Sequence, residues 1–147
     1  YGPDYPLSDR TPHFIIDVIK KILIAKEFKK KVELWGDGNQ MRESMHVADF
    51  VNQLLLCEKK RTNEIINIGP GFDFTIKNWA KIICDIENFD FKNIIFNKNK
   101  YTGARSKKMS VKKLKTILPN YKNLDLIVGL KQTINGIKKK LILDQVI

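Results

Sequence analysis

Four side chains in the first third of the sequence are suited to gripping a phosphorylated, ring-bearing small molecule: His13, Lys21, Trp35 and Arg42. Trp35 stands at the mouth of the glycine turn in "LWGDGNQMRESMHVADF", residues 34 to 50, where an indole face could take a stacked ring; it could equally be an ordinary core or hairpin tryptophan. Arg42 could offer a forked donor to a diphosphate, or simply pair with Glu43 or a surface neighbour. Lys21 lies two turns along a predicted helix from His13, so both could face one cleft; otherwise Lys21 is a solvated helix lysine and His13 a helix-start residue without a role. The loop lysines and Arg105 could close over phosphates or be merely solvated. A turn built only to reverse the chain needs Asp37-Gly38 and nothing more, so Trp35 and Arg42 are surplus to that purpose.

No reaction centre accompanies them. "GPGFDF" at 69 to 74 has the first two glycines of a dinucleotide fingerprint, but Phe74 stands in the third position and no acidic ribose partner follows a proper βαβ unit. There is no Walker A sequence, and neither histidine sits in a metalloprotease or nucleophile arrangement. Tyr1, Tyr5, Tyr101 and Tyr121 all lack the lysine of a Tyr-x-x-x-Lys acid/base pair.

The elements that must carry these side chains alternate. Phe14, Ile15, Val18, Ile19, Ile22 and Leu23 at helical spacing predict an amphipathic helix over 13 to 28, with Pro12 near its start. Residues 32 to 35 read as a short strand, followed by the Gly-Asp-Gly turn and a second strand near 43 to 47. A helix then runs from Asp49 as N-cap to the basic "EKKR" end. "IINIG", bounded by Gly-Pro-Gly, predicts a buried strand. Thr75 can cap a helix that buries Ile76, Trp79, Ile83 and Ile86, and "IIF" at 94 to 96 is a further strand. Residues 97 to 109 read as a loop. Ser110 opens a short helix stopped by Pro119, and Asp125 opens a last one whose Leu130, Ile134, Ile137 and Leu141 share a face. The class is α/β, helices with short strands.

Composition narrows the field. A chain of 147 residues with 43% hydrophobic content suits one domain with a real core. Cys57 and Cys84 lie in apolar runs without ligand spacing, which favours buried thiols, no metal and a cytoplasmic setting. No apolar run is long enough to span a membrane, and none resembles a signal peptide. The opening "YGPDYP", without an initiator methionine, reads like the middle of a protein. The net charge of +11 invites a nucleic-acid reading, but the basic residues are scattered over helix ends and loops with no recognition motif, so solvated faces are favoured over a nucleic-acid partner.

The order Tyr-Gly-Pro, a helix from His13, "VELWGDGNQMRESMHVADF", "INIGPGFDFTIKNWAKII", a basic loop and "LDLIVGLKQTINGIKK" resembles the C-terminal substrate lobe of the extended Rossmann-type short-chain dehydrogenase/reductases, the NAD-dependent epimerase/dehydratase family. Tyr-Gly-Pro, the Gly-Asp-Gly turn, Arg42, Val47-x-Asp49 and Asn67-x-Gly69 are shared across that family. His13, Lys21 and Trp35 bring it nearest to the GDP-L-fucose synthase branch, with UDP- or dTDP-sugar epimerases and dehydratases as the alternative. The resemblance implies that His13 touches the nicotinamide side of an NADP(H) cleft, that Lys21, Trp35 and Arg42 bind a GDP-sugar, and that Lys107 matches a basic position of the late loop. It further implies that residues 1 to 147 form one substrate-binding lobe of a homodimeric enzyme whose NADP loop, catalytic serine and Tyr-x-x-x-Lys pair precede Tyr1. Two positions depart from the family: its usual Pro-Asp-Gly reads Tyr101-Thr102-Gly103, removing a carboxylate expected at the sugar, and Pro70 replaces the threonine of Gly-Thr-Gly.

Overall fold

The computed structural model describes residues 1–7, 13–60 and 63–147. Helix α1 (Phe14–Glu27) is the spine: Ile15, Ile16, Val18, Ile19, Ile22, Leu23 and Ala25 are all buried. His13 occupies its N-cap but makes no side-chain capping bond. Pro12, expected near this start, lies outside the described residues, as does Arg61 of the "EKKR" end. Strand β1 (Val32–Trp35) follows and alternates buried and exposed, with Val32 and Leu34 facing the core.

The glycine turn after β1 does not close a hairpin. β1 pairs in parallel with β4 (Ile94–Asn97). Beyond the turn, β2 (Met41–Arg42) belongs to a second small sheet, antiparallel to β3 (Phe74–Thr75) and parallel to β5 (Ser106–Lys107). The turn therefore hands the chain from one sheet to the other, with Gly36 and Gly38 both at positive φ. The second strand lies at Met41–Arg42 rather than 43 to 47; just beyond it the Glu43 carboxylate accepts the Met109 amide at 3.2 Å, a side-chain contact where a further ladder rung was expected. β5 falls inside the stretch read as loop.

Helix α2 (Val47–Lys59) starts before its expected cap: His46 is the N-cap, its Nδ1 accepting the Ala48 amide at 3.3 Å. Asp49 is not a cap at all. It is 6% exposed, and its carboxylate accepts the Leu124 amide at 3.0 Å and the Tyr121 hydroxyl at 2.9 Å. "IINIG" is not a strand either; Ile65 is 89% exposed, and among the described residues no strand lies beside it to complete a ladder.

Helix α3 (Ile76–Glu87) matches its expected cap, with the Thr75 hydroxyl accepting the Asn78 amide at 3.0 Å, and it buries Trp79 and Ile83 fully. Helix α4 (Lys112–Ile117) begins after Val111 rather than at Ser110 and ends before Pro119. Helix α5 (Leu126–Leu143) starts on Asp125, whose carboxylate accepts the Val128 amide, and Leu130, Ile134, Ile137 and Leu141 are buried as one face. α1, α3 and α5 meet around Glu87. Its buried carboxylate takes Lys138 of α5 at 2.8 Å and Lys26 of α1 at 3.4 Å, while Lys26 also donates to the Glu87 carbonyl at 2.6 Å. Each fully buried aliphatic side chain in this three-helix core contributes on the order of 1.5–3 kcal/mol. Burial pushes the Cys84 thiol up to about 11, so it stays protonated and inert, and Cys57 is likewise buried and unpaired. Among the described residues no helix is long and apolar enough to cross a membrane.

Candidate functional site

The turn after β1 is fixed from behind. The first N–H groups of α3, on Ile76 and Lys77, bond to the carbonyls of Gln40 and Gly38 at 3.0 and 2.9 Å. The Asp37 carboxylate accepts both the amide and the side-chain nitrogen of Asn39 at 2.9 Å, which holds it below the ordinary carboxylate range. The buried Trp79 indole donates to the Arg42 carbonyl at 3.0 Å, tying β2 to the core. Gly36 is held against Gln40 and Thr102 so closely that a Cβ would collide with both.

This rigid turn frames a cleft of about 490 Å³. Lys21 reaches it from α1, Trp35 from the end of β1, Arg42 from β2, and Tyr101 and Thr102 from the late loop. Trp35 is 54% exposed, so its indole is neither core nor hairpin filling. Its face is shared with Lys100, whose Nζ sits 5.8 Å from the ring centroid. Lys21 forms an ion pair with Asp17 at 2.8 Å on the lip of the cleft.

Arg42 does not pair with Glu43. Its Nη1 donates to the carbonyls of Met41 and Ala104 at 2.7 and 2.8 Å, and its Nη2 to that of Thr102 at 3.2 Å. The guanidinium thus pins the late loop, keeps two of its five N–H groups, and has no carboxylate partner among the described residues to offset its charge. The Met41 amide to the Arg105 carbonyl, at 2.8 Å, adds a further stitch.

His13 and Lys21 do not share this cleft. Eight residues along a helix of 3.6 per turn are offset by about 80°, and His13 instead lines a neighbouring hollow with Glu43, Lys107 and Lys108. Phe14 and Arg42 line both. The imidazole is exposed and stacked edge-on to Tyr5.

Sequence reasoning missed Gln40 and Asp17. Gln40 is 7% exposed, lines the cleft, and leaves its Oε1 without a partner. A buried amide beside two positive-φ glycines has no spacing signature; only the collision at Gly36 exposes its position. Asp17, four residues before Lys21 on one helix face, was legible as an i,i+4 pair. No group of acidic, histidine or cysteine side chains among the described residues could hold a metal ion.

Residues 1–69 match the family model described as "NAD dependent epimerase/dehydratase family". A GDP-L-colitose synthase of Yersinia pseudotuberculosis is 34% identical over 110 residues, spanning 73% of this chain and 35% of that protein. A probable GDP-L-fucose synthase of Oryza sativa is 28% identical over 78% of the chain and 35% of its own length. The crystal structure of a GDP-L-fucose synthetase from Naegleria fowleri bound to NADP superposes with a TM-score of 0.85 at 20% identity, covering 97% of this chain and 45% of that one. The chain spans about a third of the length of these two curated relatives, and its fold is that of part of the Naegleria structure.

Proposed function

From the premise that this chain belongs to the NAD-dependent epimerase/dehydratase family and resembles its GDP-L-fucose synthases, we propose that it is the nucleotide-sugar-binding lobe of such an enzyme. The reaction proposed for the whole enzyme is the NADPH-dependent 3,5-epimerisation and 4-reduction of a GDP-4-keto-6-deoxymannose. The observation that carries this reading is the convergence of Lys21, Trp35 and Arg42 on one cleft of about 490 Å³. Trp35 offers a stacking face, Lys21 and Arg42 offer positive charge, and Lys107 extends that charge into the adjoining hollow.

The residues present fit only the edge of a dinucleotide. Binding its pyrophosphate needs a strand, a glycine turn and a helix N-terminus with free N–H groups, whereas the first N–H groups of α3 are already bonded to Gly38 and Gln40. His13, exposed beside Lys107 and separate from the sugar cleft, is the residue proposed to lie against the nicotinamide side. NADPH supplies the hydride when bound. The catalytic serine and Tyr-x-x-x-Lys pair belong, in this proposal, to a part of the enzyme outside these 147 residues, and the assembled enzyme is a homodimer.

The two tryptophans provide the test. Trp79 is fully buried and Trp35 is half exposed, so quenching of a solvent-exposed emission by GDP reports the cleft. GDP should quench it more strongly than UDP, Trp35→Phe should abolish the response, and the chain alone should neither reduce a keto sugar nor bind NADPH tightly. Equal indifference to both nucleotides, or turnover by the 147-residue chain, would overturn the reading.

A further inference from the structure

Helix α2 and the segment after it share one uncovered apolar surface. Phe50, Val51, Leu54 and Leu55 stand exposed along α2, and Ile65 beyond it is almost fully exposed. The two pieces adjoin, because Ile66 packs on the cluster of Cys57, Val111 and Leu114, and Cys57 belongs to α2. We propose that this surface seats the apolar face of a β-sheet supplied by the part of the enzyme outside these 147 residues, and that residues 65–68 become a strand of that sheet when it docks. The proposal rests on the reading above of this chain as one lobe of a larger enzyme.

The backbone points to a sheet rather than to a helix. From Ile65 to Ile68 the residues alternate between exposed and half-buried, as along a strand covered on one face. Yet no backbone hydrogen bond joins these four residues to another described segment, and the Ile65 carbonyl takes only the Lys113 ammonium, at 3.5 Å. A helix satisfies its own backbone and cannot complete that ladder, whereas a neighbouring strand can. With the ladder complete, the sheet lies against the apolar stripe of α2, the layering by which helices cover sheets in α/β folds.

Charge and size choose the occupant. Between Val47 and Pro70 the acids Asp49, Glu58 and Glu64 balance Lys59, Lys60 and Arg61, so the net charge of +11 lies elsewhere in the chain. A neutral apolar surface on a basic protein suits a neutral apolar partner, not an anionic one. A second copy of this chain fits less well. The stripe on the 13-residue α2 is about 20 Å long and roughly 10 Å wide, short of the roughly 800 Å² per partner that a stable association buries. A sheet on the same polypeptide meets no such threshold, because its docking is intramolecular. The Naegleria structure matches 97% of this chain with only 45% of its own, which leaves it ample chain for such a sheet.

The test compares the 147-residue chain alone with a fusion that carries, ahead of Tyr1, the part of the Yersinia pseudotuberculosis GDP-L-colitose synthase preceding its match to this chain. Hydrogen exchange at the amides of Ile66, Asn67 and Ile68 should be rapid in the chain alone and about a hundredfold slower in the fusion. Phe50→Asp/Leu54→Asp should abolish that protection, while Ile142→Asp, at an exposed apolar position late in α5, should leave it. In the chain alone the double substitution should move the melting temperature by less than about 2 °C and remove binding of Nile red, an uncharged dye for apolar surface. Unprotected amides in the fusion, a fusion that does not fold, amides already protected in the chain alone through self-association, or no dye binding by the unaltered chain would each overturn the docking surface. Unprotected amides alongside GDP quenching of Trp35 would leave the nucleotide reading standing, and protection without quenching would sink that reading while keeping the docking surface.

Discussion

Helices α1 and α2 are built on opposite plans. α1 buries its aliphatic residues and shows lysines to solvent. α2 turns the polar Asp49 and Gln53 inward, where Asp49 holds Tyr121 and the Leu124 amide and Gln53 donates to Asn123 at 2.8 Å. Outward it presents Val47, Phe50, Val51, Leu54 and Leu55, all exposed, at the i, i+3, i+4, i+7, i+8 spacing of one apolar face. Amphipathicity alone therefore fixes which residues share a face but not which face points inward. In α2 the inner contacts are hydrogen bonds to the 121–124 segment together with Cys57 in an apolar cluster with Val111 and Leu114, and the greasy face stays exposed.

The largest effect expected from this contrast is in the core of α1. Ile19→Ala, at a fully buried position, should cost about 3–4 kcal/mol of unfolding free energy, while Leu54→Ala on the outer face of α2 should change it by less than about 0.5 kcal/mol. Urea denaturation of both variants measures the difference, and comparable losses would show that α2 packs its apolar face in solution.

The inner face of α2 comes next. Asp49→Ala removes a carboxylate that accepts a backbone amide and a hydroxyl, and should cost about 2–3 kcal/mol, with Asp49→Asn recovering part of it. A loss below that for Leu54→Ala would reverse the assignment of inner and outer faces.

The smallest effect is the pH response of the His46 cap. Burial lowers the His46 pKa below its ordinary 6.5, against a weaker opposing pull from Asp49. A depressed histidine pKa means that the unfolded chain binds the extra proton more readily. The contribution is therefore complete above pH 6.5 and is lost as pH falls from there toward the folded-state value. Protonation would also remove the Nδ1 lone pair that accepts the Ala48 amide. Melting curves between pH 7.5 and 5.5 should show this decline flattened in His46→Gln; identical slopes would exclude His46 as the titrating group.

The same contrast shows how much was legible in the amino-acid sequence. Helices α1, α3 and α5 were, because their apolar spacing and the caps Thr75 and Asp125 agree with where their cores lie. Trp35, Lys21 and Arg42 were legible as a group, and the structure brings them to one cleft. The start of α2 was not: Asp49 has the chemistry of a cap, but distant partners claim its carboxylate while His46 does the capping. "IINIG" reads as a strand because its residues have β propensity, yet a strand needs a neighbour, and no local pattern reveals whether one is present. The loop-pinning contacts of Arg42 were also hidden, since its carbonyl partners at Thr102 and Ala104 lie some sixty residues away.

Glu87 gives the three-helix core an unequal tolerance to sequence drift. Its carboxylate is served by two lysines arriving on separate helices, so either Lys26 or Lys138 can be replaced while the other still neutralises the buried charge. Loss of Glu87 has no such backup: it removes the shared partner of both lysines, whose part-exposed ammonium groups then turn to solvent. A single lysine exchange on α1 or α5 therefore leaves the buried acid partnered, and the joint between the two helices at the end of α3 survives it.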